Sequence, residues 1–267
     1  MCNGFFVCFA VMNTDIRNFL EKQYSLYNKP EFIVLDPISI PHRFTKKEDI
    51  EIAGFLAATL SWGQRKTILS KSLQLMELME NQPYAFLIQS DEKEFHRFAD
   101  FKHRTFNGDD CIGIFHALKA IYLNHGGLER IFSEGFNKGG AFSAIENLSQ
   151  TLFSYPHLRR TEKHIAKPSK GSAAKRVNMF LRWMVRKDSY GVDFGIWKDI
   201  SPSQLICPLD LHSGRIARQL GILKRTTDDW KAAVELTENL KLYDPNDPVK
   251  YDFALFGTGV NGISLKT

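Results

Sequence analysis

Cysteine is scarce in this 267-residue chain and scattered where it occurs: Cys2, Cys8, Cys111 and Cys207 have no close spacing. That pattern excludes a disulfide framework, a zinc site of the usual ligand spacing and a four-cysteine iron–sulfur cluster, and it fits free thiols in a reducing compartment. Long apolar runs are also missing. None reaches the ~18 to 20 residues that a membrane-spanning helix needs. Nor is there an alternating apolar–polar pattern longer than a few residues, an internal repeat or a low-complexity linker, so neither a sheet nor a solenoid is predicted. The hydrophobic fraction, 43%, is still enough for a substantial core. The opening Met1–Met12 stretch is apolar but lacks a basic flank and a cleavage site. We read residues 1–12 as a mis-assigned start, with Met12 the true one, or as a disordered tail; a short membrane-associating tail is the other reading.

Over one stretch the chain lacks acid. Residues 159–187 hold ten Lys or Arg against the single Glu162, a local charge of +9 within a chain whose total is +5, so the remainder is net −4. Such a concentration suits a surface that meets phosphates, although charge runs of this kind also arise as ordinary solvated helix faces. Inside it, Ala174, Val177, Phe180, Leu181, Met184 and Val185 mark the apolar stripe of an amphipathic helix, with Ser172 as N-cap. Lys175, Arg182 and Arg186 fall on the opposite side, which predicts a cationic row facing solvent. Downstream, Asp210 stands at the start of a helix that Gly221 closes. A Lys and an Asp, each in the first turn of its helix, can then face one cleft.

Elsewhere the pattern is helical throughout, and the fold class is all-α. A first helix spans residues 13–30, capped by Asn13 or Thr14, and an extended Asp36–Arg43 connector follows because its prolines disfavour helix before them. Thr45 and Glu48 predict a capping box for a mostly buried helix. That helix breaks at Ser61-Trp62-Gly63-Gln64-Arg65, a tight corner whose glycine either presents a neighbouring side chain outward or simply turns the chain while Trp62 packs inside. Phe98–Phe106 mixes aromatic and basic residues, able to hold a base and phosphate or to form a loop anchored by Phe101 and Phe106. His103, His116 and His125 are read as structural. Thr227-Asp228-Asp229 caps a helix from Trp230 to Leu242, and Asp247-Pro248 starts the last one.

These motifs carry a resemblance. Pro208-Leu-Asp-Leu-His with Arg215-Ile-Ala-Arg-Gln-Leu-Gly resembles the Val-Asp-Thr-His signature and the Arg- and Leu-Gly-containing helix after it in the helix-hairpin-helix DNA glycosylase superfamily, which includes endonuclease III and 8-oxoguanine DNA glycosylase. Ala174–Met184 is similar to the helix that bears that superfamily's Schiff-base lysine. As a whole, the chain looks closest to a bacterial branch related to the superfamily. It departs in having one glycine, Gly171, where the usual hairpin has two, and in a longer segment before the aspartate, Ser189–Pro202, which resembles the spacing of archaeal 8-oxoguanine glycosylases. The resemblance implies a two-lobed helical unit over 13–267, with one lobe from about 13–60 and 188–267 and the other from about 61–187. Double-stranded DNA with a damaged base would lie across the cleft.

On that match Lys175 and Asp210 are catalytic. Gln64, with Trp62 and Arg65 behind it, would enter the gap left by a flipped nucleotide, and Lys170, Gly171, Ser172, Arg176, Arg182, Arg186 and His212 would contact DNA. The implied activity is a base-excision DNA glycosylase with a lyase step, acting as a cytoplasmic, nucleoid-associated monomer without metal or other cofactor, with an oxidised purine as the analogous substrate. A fixed carboxylate stabilises the positive sugar of the transition state, and a neutral lysine attacks C1′, its proton loss favoured by the cations Arg176 and Lys170. Asp210 as a plain cap, Lys175 as a phosphate contact, and Lys170 or Lys187 as the nucleophile are the alternatives on residues alone. At the level of the whole chain, the alternatives are a non-catalytic DNA- or RNA-binding helical module and a helical enzyme acting on a free nucleoside or another small molecule.

Overall fold

A computed structural model describes residues 13–262; the readings made for residues 1–12 lie outside the described residues. Asn13 opens α1 (Thr14–Tyr27) by accepting the N–H groups of Asp15 and Ile16 at 2.9 and 3.3 Å. Pro30 at a first helical position then starts the short α2 (Pro30–Leu35). The connector after it is not extended. Asp36 caps a 3₁₀ turn at Pro37–Ser39, and a second follows at Pro41–Arg43, because proline's fixed φ suits a first helical position as well as an extended one.

The next helix, α3 (Lys47–Leu60), is buried from Ile50 to its end. The expected Thr45–Glu48 capping box is not formed; Lys46 is the N-cap and makes no side-chain cap. Entry is held instead by the Lys46 ammonium, 4.0 Å from the Tyr84 ring centroid, and by Asp49, which accepts the Tyr84 N–H at 2.8 Å. After the corner at residues 61–64 come α4 (Arg65–Leu78), α5 (Pro83–Gln89) and α6 (Glu92–Phe95). A two-residue-per-strand hairpin, β1 (Lys102–His103) and β2 (Phe106–Asn107), pairs Lys102 with Asn107 and His103 with Phe106. Its flanking Phe101 and Phe106 are buried, so this segment is an anchored turn. Then α7 (Gly108–Asn124) leads to α8 (Leu128–Leu152), which bends at Gly139–Gly140. The chain finishes with α9 (Lys175–Val185), α10 (Leu211–Gln219), α11 (Trp230–Lys241) and α12 (Tyr251–Val260).

Packing brings the two ends of the chain together: α12 lies between α1 and α10, while α3 packs on α9, α4 and α5. The closeness of α12 to its neighbours is set by glycine. A Cβ on Gly257 would come within 2.3 Å of the Tyr27 ring, and one on Gly259 within 2.7 Å of the His212 carbonyl oxygen. One continuous apolar core, rich in Phe, joins both groups of helices. Among the described residues no helix is long and apolar enough to cross a membrane.

The predicted cationic row on α9 is corrected by burial. Lys175 lies near the surface, but Arg182 and Arg186 are only 3% and 1% exposed. Arg182 donates to Asp193 at 3.2 Å and to Asp252; Arg186 pairs with Asp193, Asp188 and Asp247 at 3.1, 2.7 and 2.8 Å and donates to the Tyr24 hydroxyl at 2.6 Å. Burial alone would favour loss of the guanidinium proton, yet the surrounding aspartates, Asp193 first, outweigh it and hold both arginines charged. The helical period placed them opposite the Val177–Val185 stripe correctly; it could not foresee that acids from distant segments cover that side. Neither arginine is placed to contact DNA.

Arg186→Met should therefore destabilise the fold by about 3–5 kcal/mol, because three carboxylates lose their shared cation inside the protein. Urea denaturation followed by circular dichroism measures this, and a loss near that of an exposed ion pair would contradict the account.

Candidate active site

The N-terminal ends of α9 and α10 open onto one cleft of about 360 Å³, shared with Phe32, Asp36, the Ser61–Gly63 corner, Arg65, Asp252 and Phe256. Lys175 is the first residue of α9. Ala174 before it adopts a left-handed conformation with φ 50°, and the Ser172 hydroxyl accepts the Ala174 N–H at 3.1 Å, so Ser172 supports the turn without being the helix cap. This sharp entry turns the Lys175 side chain into the cleft, where its Nζ is 3.6 Å from Asp210 Oδ2 and 5.5 Å from the Phe256 ring centroid.

Asp210 is the N-cap of α10 and at the same time the ion-pair partner of Lys175. Its Oδ1 caps α10, accepting the N–H groups of His212 and Ser213 at 2.9 and 3.0 Å, and the Asp210 N–H donates to Ser213 Oγ at 2.9 Å. Oδ2 is left to face Lys175. Cap and ion-pair partner are thus one residue using different oxygens.

Around this pair the other expected residues separate. Trp62 lines the cleft and is also packed, its ring stacked on His164 at 5.6 Å and edge-on to His103 at 4.8 Å. Gln64, the α4 N-cap, is exposed without making a cap bond, and Arg65 places its guanidinium 5.9 Å from the Phe256 ring centroid. His212 is exposed at the cleft and meets Phe256 edge-on at 6.3 Å. Arg182 reaches the cleft only as part of its buried ion network, and Arg186 does not line it.

Arg176 is a correction. Rather than standing free beside the Lys175 amine, it is half-buried: it borders a second opening and donates to the backbone carbonyls of Thr59 and His164, with its guanidinium carbon 4.8 Å from the Trp62 ring centroid. Burial lowers it to about 10. Its work is to fasten α9 to the end of α3 and to the Arg159–His164 3₁₀ turn.

Lys170 and Ser172 border a second opening of about 430 Å³ with Arg159, Lys163 and Lys167. Gly171 adopts the left-handed conformation with φ 81°, but its N–H is bonded to the Pro168 carbonyl at 2.8 Å, and the Ser169 N–H is taken by the Glu146 carboxylate at 2.9 Å. At those two positions the turn's amides are occupied, leaving the lysine and arginine side chains as its available donors. Of the rival nucleophiles, neither Lys170 nor the exposed Lys187 lines the cleft that holds Asp210.

Phe32, Asp36, Asp252 and Phe256 also line the cleft, and sequence reasoning missed them. Asp252 had a signal, being one carboxylate inside the apolar run Tyr251–Phe256. Burial raises the Asp36 carboxyl, and raises Asp252 to about 6 against the pull of Arg182 and Lys175. Among the described residues no group of His, Cys, Asp and Glu has metal-holding geometry, and Cys111 and Cys207 are buried thiols whose ionisation burial opposes.

Since Asn caps a helix as well as Asp does, Asp210→Asn should change stability by no more than a few tenths of a kcal/mol, whereas Asp210→Ala should cost about 1 kcal/mol. Equal losses in thermal or urea unfolding would show that the cap is not what holds this end of α10.

No curated protein and no solved structure matches the chain. The model of a family described as "Protein of unknown function (DUF2400)" matches residues 36–261. That span takes in the corner, both helix starts and both buried aspartates of the cleft, and the chain belongs to this family.

Proposed function

We propose that this protein is a DNA glycosylase with an associated lyase step, built as a two-lobed helical fold that receives duplex DNA across the cleft. One observation carries the reading. Lys175 and Asp210, 35 positions apart in sequence, meet at 3.6 Å where two helices begin, inside a cleft walled by aromatic rings. A flipped nucleotide would enter there. As the bond from C1′ to the base stretches, positive charge grows on the sugar, and the Asp210 carboxylate lies beside it. The neutral Lys175 amine then forms a bond to C1′ while the bond to the base breaks, the base leaving with the bonding electrons and taking up a proton. Ring opening gives an imine, and loss of the proton on C2′ expels the 3′-phosphate.

Phosphate contacts would fall to the exposed cations rather than to the whole basic run. Arg159, Lys163 and Lys170 are exposed, while Arg160 is held by Asp110, Asn107 and the Thr105 carbonyl and Arg182 and Arg186 are committed inside. Duplex affinity should fall steeply with salt, and Lys163→Glu with Lys170→Glu should flatten the slope of log K against log salt by about one for each phosphate no longer neutralised. An unchanged slope in fluorescence-anisotropy titrations would move the DNA surface elsewhere.

Borohydride reduces an imine to a permanent protein–DNA bond. The wild type should cross-link to a duplex containing an abasic or damaged nucleotide, with the adduct mapped to Lys175, and Lys175→Ala should lose it while keeping most of its duplex affinity. Asp210→Asn should remain folded and lose about a hundredfold or more in turnover. Base release without trapping would replace the lyase with a water-attacking glycosylase; neither release nor trapping across a broad lesion panel, with binding intact, would favour a non-catalytic nucleic-acid-binding module.

A further inference from the structure

The cleft that holds the Lys175–Asp210 pair carries a second pair of carboxylates. Asp36 and Asp252 both line it, and each is only 6% exposed. In each, one carboxylate oxygen is engaged: Asp36 Oδ1 accepts the Ile38 N–H at 3.1 Å, and Asp252 Oδ2 takes the Arg182 guanidinium. Among the described residues, Asp36 Oδ2 and Asp252 Oδ1 receive no hydrogen bond. Two almost fully buried carboxylates thus keep one acceptor oxygen apiece on the same cavity. Phe32, Trp62 and Phe256, all partly exposed, present aromatic surface to that cavity.

We infer that Asp36 and Asp252 are the specificity-determining residues of the cleft, selecting a nucleobase whose edge presents N–H donors over one whose edge presents only acceptors. The inference rests on the glycosylase reading for the view that the ligand is a base. Its physical ground is desolvation. A flat ring held between aromatic faces displaces the water that solvates both free oxygens. An amino group or ring N–H replaces that water with a charge-assisted hydrogen bond, whereas a ring nitrogen or carbonyl sets lone pair against lone pair and leaves a buried carboxylate unsatisfied. Burial raises the proton affinity of both carboxyls, Asp252 to about 6, so the selection for donors holds at a pH above that at which they ionise; Arg182, bound to Asp252, fixes that side chain's orientation. Asp36 and Asp252 are positioned to read the base, while Lys175 and Asp210 are positioned to act on its bond.

The test uses two free nucleosides with one ring system: 2,6-diaminopurine riboside, which carries two amino groups, and purine riboside, which carries none. Titrated calorimetrically against the full chain, the first should bind about tenfold or more tightly than the second, the usual preference when a charged acceptor gains a donor instead of losing its water unpaired. Asp36→Asn keeps the Ile38 cap and should reduce that ratio, as should Asp252→Asn. Circular dichroism identifies a variant that fails to fold, and Asp36→Asn, which breaks no ion pair, decides the matter if Asp252→Asn does. Equal affinities, no measurable binding of either nucleoside at millimolar concentration, or an unaltered ratio in folded Asp36→Asn would overturn the inference. Cross-linking to abasic DNA without nucleoside discrimination removes this inference alone. Discrimination without cross-linking or base release removes the lyase reaction and leaves a base-reading cleft.

Discussion

Two buried guanidinium groups hold this fold in register. Arg182 and Arg186 project from one side of α9 into acids supplied by the segment after it, by the turn before α12 and by α12 itself, with Tyr24 of α1 completing the set. A pair of charges taken out of water is a poor source of stability compared with well-packed apolar side chains, but each partner becomes intolerable once the other is gone. Such a network penalises every arrangement in which these parts of the chain are not together. The contact between α1 and the C-terminal helices, far apart in sequence, is thereby tied to the helix that starts with Lys175.

That tie locates the cleft. Asp252 binds Arg182 and also lines the cavity, while α12 meets α10, whose cap is Asp210. On the other flank Arg176 joins α9 to α3 and stacks on Trp62, so the corner is bound to the same helix. The positively charged residues along α9 therefore divide their tasks: Arg182 and Arg186 on inner carboxylates, Arg176 on backbone carbonyls, and Lys175 turned towards a ligand-sized space.

Helix periodicity and capping signals made most of the elements legible, and Asp210 at a helix start was legible from its position ahead of a helix that Gly221 closes. The meeting of Lys175 with Asp210 was expected from the resemblance, since spacing alone cannot bring two helix starts together. What could not be read depended on the company of residues far away in sequence. Arg182 and Arg186 looked like surface cations because the acids that bury them lie in other segments. Asp36 looked like part of an extended linker because proline fixes φ without choosing between an extended and a 3₁₀ path, and tertiary packing makes that choice. Asp252 was the most readable of the missed residues: a lone acid in a buried apolar helix needs a partner, even when the sequence does not say which.

The division of Asp210 between its two oxygens has a dynamic meaning. With Oδ1 held by two amides of α10, the carboxylate cannot swing to follow a ligand without uncapping the helix. Lys175 has a four-carbon stem and one ion pair to break. Of the two, the aspartate is therefore the stationary member and the lysine the mobile one. Any ligand entering the cleft would meet a carboxylate already in its final position and an amine still free to move.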